Sequence, residues 1–398
     1  MTDPATRAGS ARRRDRATPL RREGAGRGVL PKYPVTRGRR WLLRVALSLP
    51  FVLLTVVLAA GGSDYFLHDS ANAALVEHVV GLRGEALDVD LLVALYPPVS
   101  TLLALVIPGG VVGLGIVAGL VNGFLLQRVV EWFHRRRLSP AERLLLVLLL
   151  AGTPLFAFLS TTNLEISLGL ALFLLGMIDL VRFVTFANTQ AGFRVGIYFA
   201  VAALTAPAFL FSIVIAGCVT PFLRRSRRGA GIANTLVLVF PTLAAFGSVA
   251  LLGLVFRGDA LFLSGSEGLR IHPDRVQLLS DLLAPPWGWL FFVPTVLGML
   301  LALCLRELPL MIVAPLLTGS VLLMSVLGVT PRGSAGLSLL TLVAVLVALA
   351  PRGRGRLQRA LIGILGVVQI VVGWLSAVLL YPSVRAWTEA VSEGWWGR

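Results

Sequence analysis

The chain has 398 residues, of which 56% are apolar and 14% charged, and its mean hydropathy is +0.84. Soluble domains carry roughly a quarter charged residues, so a water-soluble globular protein is excluded. The net charge is +16, yet the basic residues sit in confined stretches with no recognition motif beside them, which argues against a nucleic-acid binder.

Residues 1–40 hold eleven Arg and Lys32 against Asp3, Asp15 and Glu23, so this segment alone carries +9. Rich in Gly, Pro and Ser and without apolar periodicity, it is expected to be a disordered cytoplasmic tail attracted to anionic lipid headgroups. The first apolar run, 41–61, ends in Leu58-Ala59-Ala60-Gly61-Gly62. A basic lead of this length is too long for a signal-peptide n-region, so the run reads as an uncleaved membrane helix.

Reading apolar runs against Gly, Pro and charged breakers predicts an all-α polytopic membrane domain over 41–381 with about eleven transmembrane helices. They fall near 41–61, 109–131, 142–159, 165–185, 194–206, 207–223, 231–256, 288–305, 309–329, 336–350 and 360–381. The pair 194–206 and 207–223 is short and turns at Ala206-Pro207. With the basic tail inside, Arg135-Arg136-Arg137, Arg224 to Arg228, Arg306 and the Arg352 to Arg359 cluster all fall on the same side. The positive-inside rule therefore predicts a cytoplasmic N-terminus and an extracytoplasmic C-terminus. Arg occurs thirty-five times and Lys once, a bias typical of GC-rich bacterial genomes, which makes a bacterial plasma membrane the expected location. Cys218 and Cys304 lie in apolar runs, which disfavours a disulfide or a metal site.

The acids gather on the opposite side. The first outer loop, 62–108, carries Asp64, Asp69, Glu77, Glu85, Asp88 and Asp90 against Arg83. A second, 257–287, holds Asp259, Glu267, Asp274 and Asp281 with Arg257, Arg270, His272 and Arg275. Within the spans, ionisable side chains look nearly absent, with only Glu165 and Asp179 at span edges. No buried carboxylate chain of the kind found in proton-coupled transporters is expected.

In the first outer loop, Ala71, Leu75, Val79 and Leu82 form one stripe at helical spacing, with Asp69 and Glu77 on the other side. This predicts an interfacial helix whose carboxylates face water or a cleft. Asp69 also suits the N-cap of that helix. Tyr96-Pro97-Pro98-Val99 follows; Pro97 and Pro98 fit a helix start, where missing N–H groups cost nothing. The run 97–107 is too short to span and stops at Pro108-Gly109-Gly110.

This order of pieces resembles the GT-C superfamily of polyprenyl-phosphate-sugar-dependent glycosyltransferases, in particular the protein O-mannosyltransferase and aminoarabinose-transferase branches. There an early acid, an interfacial helix and a His-Pro-Pro-Leu or Tyr-Pro-Pro-Leu helix start precede a many-span remainder. Thr153-Pro154-Leu155-Phe156 with Ser160 and Glu165, Ala203-Leu204-Thr205-Ala206-Pro207, and Pro331-Arg332 are further similar pieces, so the likeness covers roughly 41–350. Two positions depart from the pattern: the acidic pair is reduced to Asp69-Ser70, and Val99 replaces the commoner Leu.

The resemblance implies transfer of a sugar from a polyprenyl-phosphate donor to an acceptor on the extracytoplasmic face. It assigns Asp69, with Asp64 in reserve, as the base that deprotonates or orients the acceptor hydroxyl. Tyr96, Pro97 and Pro98 would shape the site, while Arg270, His272, Arg275 and Arg332 would meet the lipid phosphate. Arg332 reads equally as an interfacial anchor, and Asp69 as a helix cap alone. A non-catalytic GT-C-like scaffold or lipid-binding protein remains an alternative, as does a transporter or flippase. No P-loop, dinucleotide fingerprint, nucleophile elbow or zinc motif is present. No cofactor is expected, although Glu77, Asp88 and Asp90 leave a divalent metal open. Residues 382–398 form a short extracytoplasmic tail whose Trp387, Trp395 and Trp396 suit an interfacial aromatic belt.

Overall fold

The computed structural model describes residues 32–82, 94–136, 138–186, 188–220, 231–258, 270–305, 308–349 and 356–396. Among them secondary structure is wholly helical. Residues 1–31, Glu85, Asp88, Asp90, Arg137, Arg224 to Arg228, 259–269 of the second outer loop (with Asp259 and Glu267) and Arg306 lie outside the described residues.

Helix α1 (Arg37–Ala60) runs antiparallel against α4 (Gly110–Arg135). The reason is a stripe of small residues on α4. A Cβ at Gly115 would stand 2.7 Å from Thr55 Cγ2, at Gly119 3.2 Å from Phe51 Cβ, and at Gly123 1.8 Å from Ser48 Oγ. In an apolar bundle, where helices gain little from leaving lipid for one another, such glycines let backbones approach and gain dispersion contact. Between α1 and α4 come α2 (Ala71–Leu82) and α3 (Pro98–Val106). Pro97 is the N-cap of α3 and Pro98 its first residue. The chain then turns through Gly109 at φ +87° and Gly110 at φ +56°, a left-handed corner that suits glycine.

Next follow α5 (Pro140–Ala151) and α6 (Pro154–Thr162), which meet at 53°. Thr153-Pro154 makes the break. Ser139 and Glu142 cap the start of α5 reciprocally, the pattern expected of Ser three residues before Glu. The central α7 (Leu164–Phe186) packs along α8 (Thr189–Thr205), with Gly176 against Phe199 and Gly192 against Phe183. A short turn at Pro207–Phe209 leads into α9 (Leu210–Val219), so the chain turns where Ala206-Pro207 predicted.

The remainder comprises α10 (Gly231–Arg257), α11 (Pro273–Leu283), α12 (Val293–Leu305), α13 (Leu308–Val326), α14 (Leu337–Leu349), α15 (Arg356–Leu379) and α16 (Pro382–Trp396). Polar pairs inside the bundle fix register: Ser212 with Ser320 at 3.0 Å and Thr295 with Thr318 at 2.7 Å.

Each of the eleven expected segments contains a helix, but fewer qualify as spans. Five described helices are long and apolar enough to cross a membrane, or six if the bent α5–α6 pair is one crossing. The expected count of about eleven is therefore larger than length and composition support. The shortfall has a physical basis. Helix α14 has 13 residues, about 20 Å of rise against a hydrocarbon core of about 30 Å. It is buried on every side from Leu337 to Ala348. Apolar all round, it faces other helices rather than lipid, and hydropathy alone does not separate the two.

Three expectations change. The basic tail does not run to residue 40, because α1 begins at Arg37 and Arg40 hydrogen-bonds the carbonyls of Pro34 and Val35. Residues 382–396 are a helix docked on α1, α6 and α15, not a free tail. Trp387 is 4% exposed, donates to Thr161 Oγ1 at 3.0 Å and meets Phe158 edge-on. It belongs to the core instead of an interfacial belt, whereas Trp395 is exposed.

Candidate functional site

The first outer loop begins as a single π-turn, Tyr65–Asp69, directly after Asp64. Both Asp64 and Asp69 are exposed. Asp69 does not cap α2: Ser70 does, its Oγ accepting from Ala73 N at 3.2 Å while donating to Phe66 O at 2.7 Å. Relieved of the capping role, the Asp69 carboxylate is left facing outward. The predicted stripe is seen in α2, where Leu75, Val79 and Leu82 are buried and Glu77 is exposed.

Asn72, 1% exposed, anchors α2 to the bundle. Helices α6 and α7 are interrupted at Asn163, which leaves backbone groups without helical partners. The Asn72 amide Nδ2 donates to Thr161 O at 3.1 Å, and its Oδ1 accepts from Leu164 N at 2.8 Å. One side chain thus satisfies both sides of the break.

Tyr65 stacks on Phe158 at 6.3 Å and hydrogen-bonds Ser383 on α16. Burial pushes its phenol up to about 12; the Ser383 bond opposes that rise and the nearby Asp69 charge adds to it. Across from Tyr65 lies the turn before α14. Gly333, at φ +79°, presents its open side to α2: a Cβ there would be 3.7 Å from Ala71 N and 4.0 Å from the Tyr65 hydroxyl. Its neighbour Arg332 is exposed. Arg332 is close enough to Arg275, at the start of α11, to disfavour the latter's charge; burial is the larger cause, and Asp274 opposes it. His272 donates its backbone N–H to Val326 O at 3.1 Å, and Gly328 at φ +71° lies over its ring. A Cβ at Gly328 would meet His272 Nε2 at 2.8 Å.

The structure therefore gathers Asp69, His272, Arg275 and Arg332 at one end of the bundle, from three segments far apart in sequence. Arg270 is exposed just before His272. Tyr96, Pro97 and Pro98 sit instead against α7 and α8: burial raises the Tyr96 phenol and the charge of Glu165 raises it further, while Ser100 donates to Thr205 O at 3.2 Å. Tyr65, Ser383 and Gly333 were not among the sequence candidates. Tyr65 stands four residues before Asp69, a spacing that was readable; the Ser383 contact joins opposite ends of the chain and left no local signal.

Among the described residues no three His, Cys, Asp or Glu side chains come together in a way that would hold a metal ion.

Charged residues also enter the spans more than expected. At the far end, Glu131 is 2% exposed and pairs with Arg128 at 3.2 Å and with Arg135. Asp179, 6% exposed, pairs with Arg182 and with Arg194 at 3.3 Å. The expectation of nearly charge-free spans is corrected there, because each carboxylate is neutralised by arginines one helical turn away or on the neighbouring helix.

No protein-family model matches this chain, and neither a curated protein nor a solved structure is found similar to it.

Proposed function

We propose that this membrane protein is a glycosyltransferase of GT-C type, moving a sugar from a polyprenyl-phosphate donor to an acceptor on the extracytoplasmic face of a bacterial plasma membrane. The observation that carries the reading is the packing of the turn at Gly333, next to Arg332, against Ala71 and Tyr65 on the segment that bears the exposed acid Asp69, with Arg275 close to Arg332. Transfer from a lipid phosphate needs both the acid and the cations. The Asp69 carboxylate takes the proton of the acceptor hydroxyl, whose oxygen attacks the anomeric carbon. The bond from that carbon to the phosphate oxygen breaks, and the polyprenyl phosphate departs with the electron pair. Arg332 and Arg275, with His272 behind them, stabilise the charge that develops on it. The Arg–Arg proximity supports the reading further, since two guanidinium groups side by side are favourable once a phosphate lies between them. In this orientation the N-terminus is cytoplasmic, where its arginines meet anionic lipids, and α16 lies outside.

The test is complementation of a deletion strain with Asp69→Asn, reading cell-envelope glycans by mass spectrometry with membrane expression confirmed. The deletion removes a glycan that wild type restores and Asp69→Asn does not. Full restoration by Asp69→Asn overturns Asp69 as the base and favours a lipid-binding scaffold or Asp64.

A further inference from the structure

Three buried polar side chains adjoin the bend between α5 and α6 without a partner. Gln369 stands near the middle of the Arg359–Leu379 span of α15 and is 3% exposed. Neither its Nε2 nor its Oε1 has a hydrogen-bond partner among the described residues. The same holds for Ser376 Oγ on α15 and for Thr153 Oγ1 at the bend, and both residues are buried as well.

Gly373 brings these groups together. A Cβ there would stand 2.7 Å from Thr153 Cγ2 and 3.5 Å from Thr153 Cβ, so α15 and the bend touch at this point. Gln369 lies four residues before Gly373 and Ser376 three after it, which places them on the same helix face, one turn to either side. That face is the enclosed one, since Val372 and Ala377 are buried while Val371 and Leu375 are exposed. Trp374 ties the same turn to the bend by donating Nε1–H to Gly152 O at 2.9 Å. Thr153 is the N-cap of α6, yet its side chain makes no capping bond, and Pro154 has no N–H to offer the Leu150 carbonyl one turn back.

A primary amide carries two donors and an acceptor, and each hydroxyl both gives and accepts. In the hydrocarbon region no bulk water reaches such groups, and leaving them bare is costly. The mixture of donors and acceptors opposes an ion of either sign, whereas water, which gives and accepts alike, matches it. We propose that the α5–α6 bend and α15 enclose a site for internal water, held by the Gln369 amide and the Thr153 and Ser376 hydroxyls. Water there completes the hydrogen bonds that the bend leaves open and ties α15 to both halves of the bent pair.

The test is hydroxyl-radical labelling of the full-length protein in nanodiscs, with the radicals generated from water by X-rays and the labelled side chains read by mass spectrometry. Radicals react close to the water that forms them, so an enclosed side chain is labelled only beside a bound water. Leu339 of α14 is the reporter: it is buried, and its Cδ1 lies 3.8 Å from where a Gly373 Cβ would stand. Leu342, on the same helix but packed against Gly298 of α12, is the equally reactive buried control. In wild type Leu339 takes up label and Leu342 does not. In Gln369→Leu the label at Leu339 is lost, with the melting temperature verifying the fold. The wild-type comparison stands alone if that variant does not fold. Labelling of Leu339 no higher than that of Leu342 in wild type overturns the proposal, and so does undiminished labelling of Leu339 in folded Gln369→Leu.

Discussion

Asn72→Ala separates the lock from the reactive group it positions. Asn72 makes two hydrogen bonds at the α6–α7 break, to Thr161 O at 3.1 Å and from Leu164 N at 2.8 Å. With the side chain 1% exposed, water has no route to either backbone group. Each buried group left unsatisfied costs roughly 1–3 kcal/mol. Both are orphaned together, and modest relaxation relieves part of the cost, so the expected loss is about 3 kcal/mol. Unfolding in mixed detergent micelles, followed by tryptophan fluorescence, reads that loss as a shift in midpoint. Hydrogen exchange supplies the local signature: amides near Leu164 and Ile166 exchange faster, while those in α14 do not change. Under the proposed transferase function activity falls as well, because α2 begins two residues after Asp69. A second variant, Asn72→Asp, retains the acceptor for Leu164 N but faces Thr161 O with a carboxylate, and is destabilised further at neutral pH. A midpoint change below about 0.5 kcal/mol, with unaltered exchange at Leu164, refutes the bidentate lock; surface substitutions shift stability by no more than that.

Gly123→Ala puts a Cβ 1.8 Å from Ser48 Oγ and 2.7 Å from Ser48 N. The α1–α4 seam must open, at about 1–3 kcal/mol, and Ser48→Ala recovers only the part due to the hydroxyl, as the same unfolding assay measures. The Tyr65 phenol, pushed up to about 12 chiefly by burial, binds its proton more tightly folded than unfolded. Its stabilising contribution is therefore complete below the ordinary tyrosine value near 10 and is lost as pH rises through about 12; ultraviolet titration of wild type against Tyr65→Phe shows a phenolate appearing late. Glu131→Gln strips Arg128 and Arg135 of their shared counter-charge and costs about 3–5 kcal/mol, seen as a lower melting temperature than that of Arg128→Gln.

Much of the architecture was legible because it depends on local rules. The helix start at Pro98, the turn at Pro207 and the apolar stripe of α2 follow from proline geometry and helical periodicity. Hydropathy, in contrast, reports whether a helix avoids water and is silent on what replaces it. Helix α14 and the exposed Leu236 and Phe240 of α10 read alike in sequence, yet one is enclosed by protein and the others are not. The Gly115-Gly119-Gly123 series was available as a small-residue stripe with four-residue spacing. Of the site, Asp69, Arg275 and Arg332 could be nominated individually. Their convergence could not, since it requires the fold to bring the turn at Gly333 onto Ala71 and Tyr65. Trp387 illustrates the same limit: an aromatic near a chain end reads as interfacial until its partner, Thr161, is known.

Thr161 also explains how an exposed carboxylate is given a defined place. Its carbonyl receives Asn72 from α2, its hydroxyl receives Trp387 from α16, and the close approach of Gly115 brings α4 against the same residue. Tyr65, through Ser383, ties the π-turn to α16 a second time. In a bundle that is apolar almost throughout, packing alone lets helices slide, because one leucine contact resembles the next. A small number of buried polar contacts has no equivalent alternative nearby and so sets register. The chain directs several of them at the segment bearing Asp69 while leaving that side chain in water. A general base requires that combination, since it must stay ionised and accessible while being held in place. On the proposed glycosyltransferase reading, loosening Asn72 or Tyr65 should therefore lower turnover without removing any group that touches substrate, whereas Asp69→Asn removes the proposed base and leaves the scaffold intact.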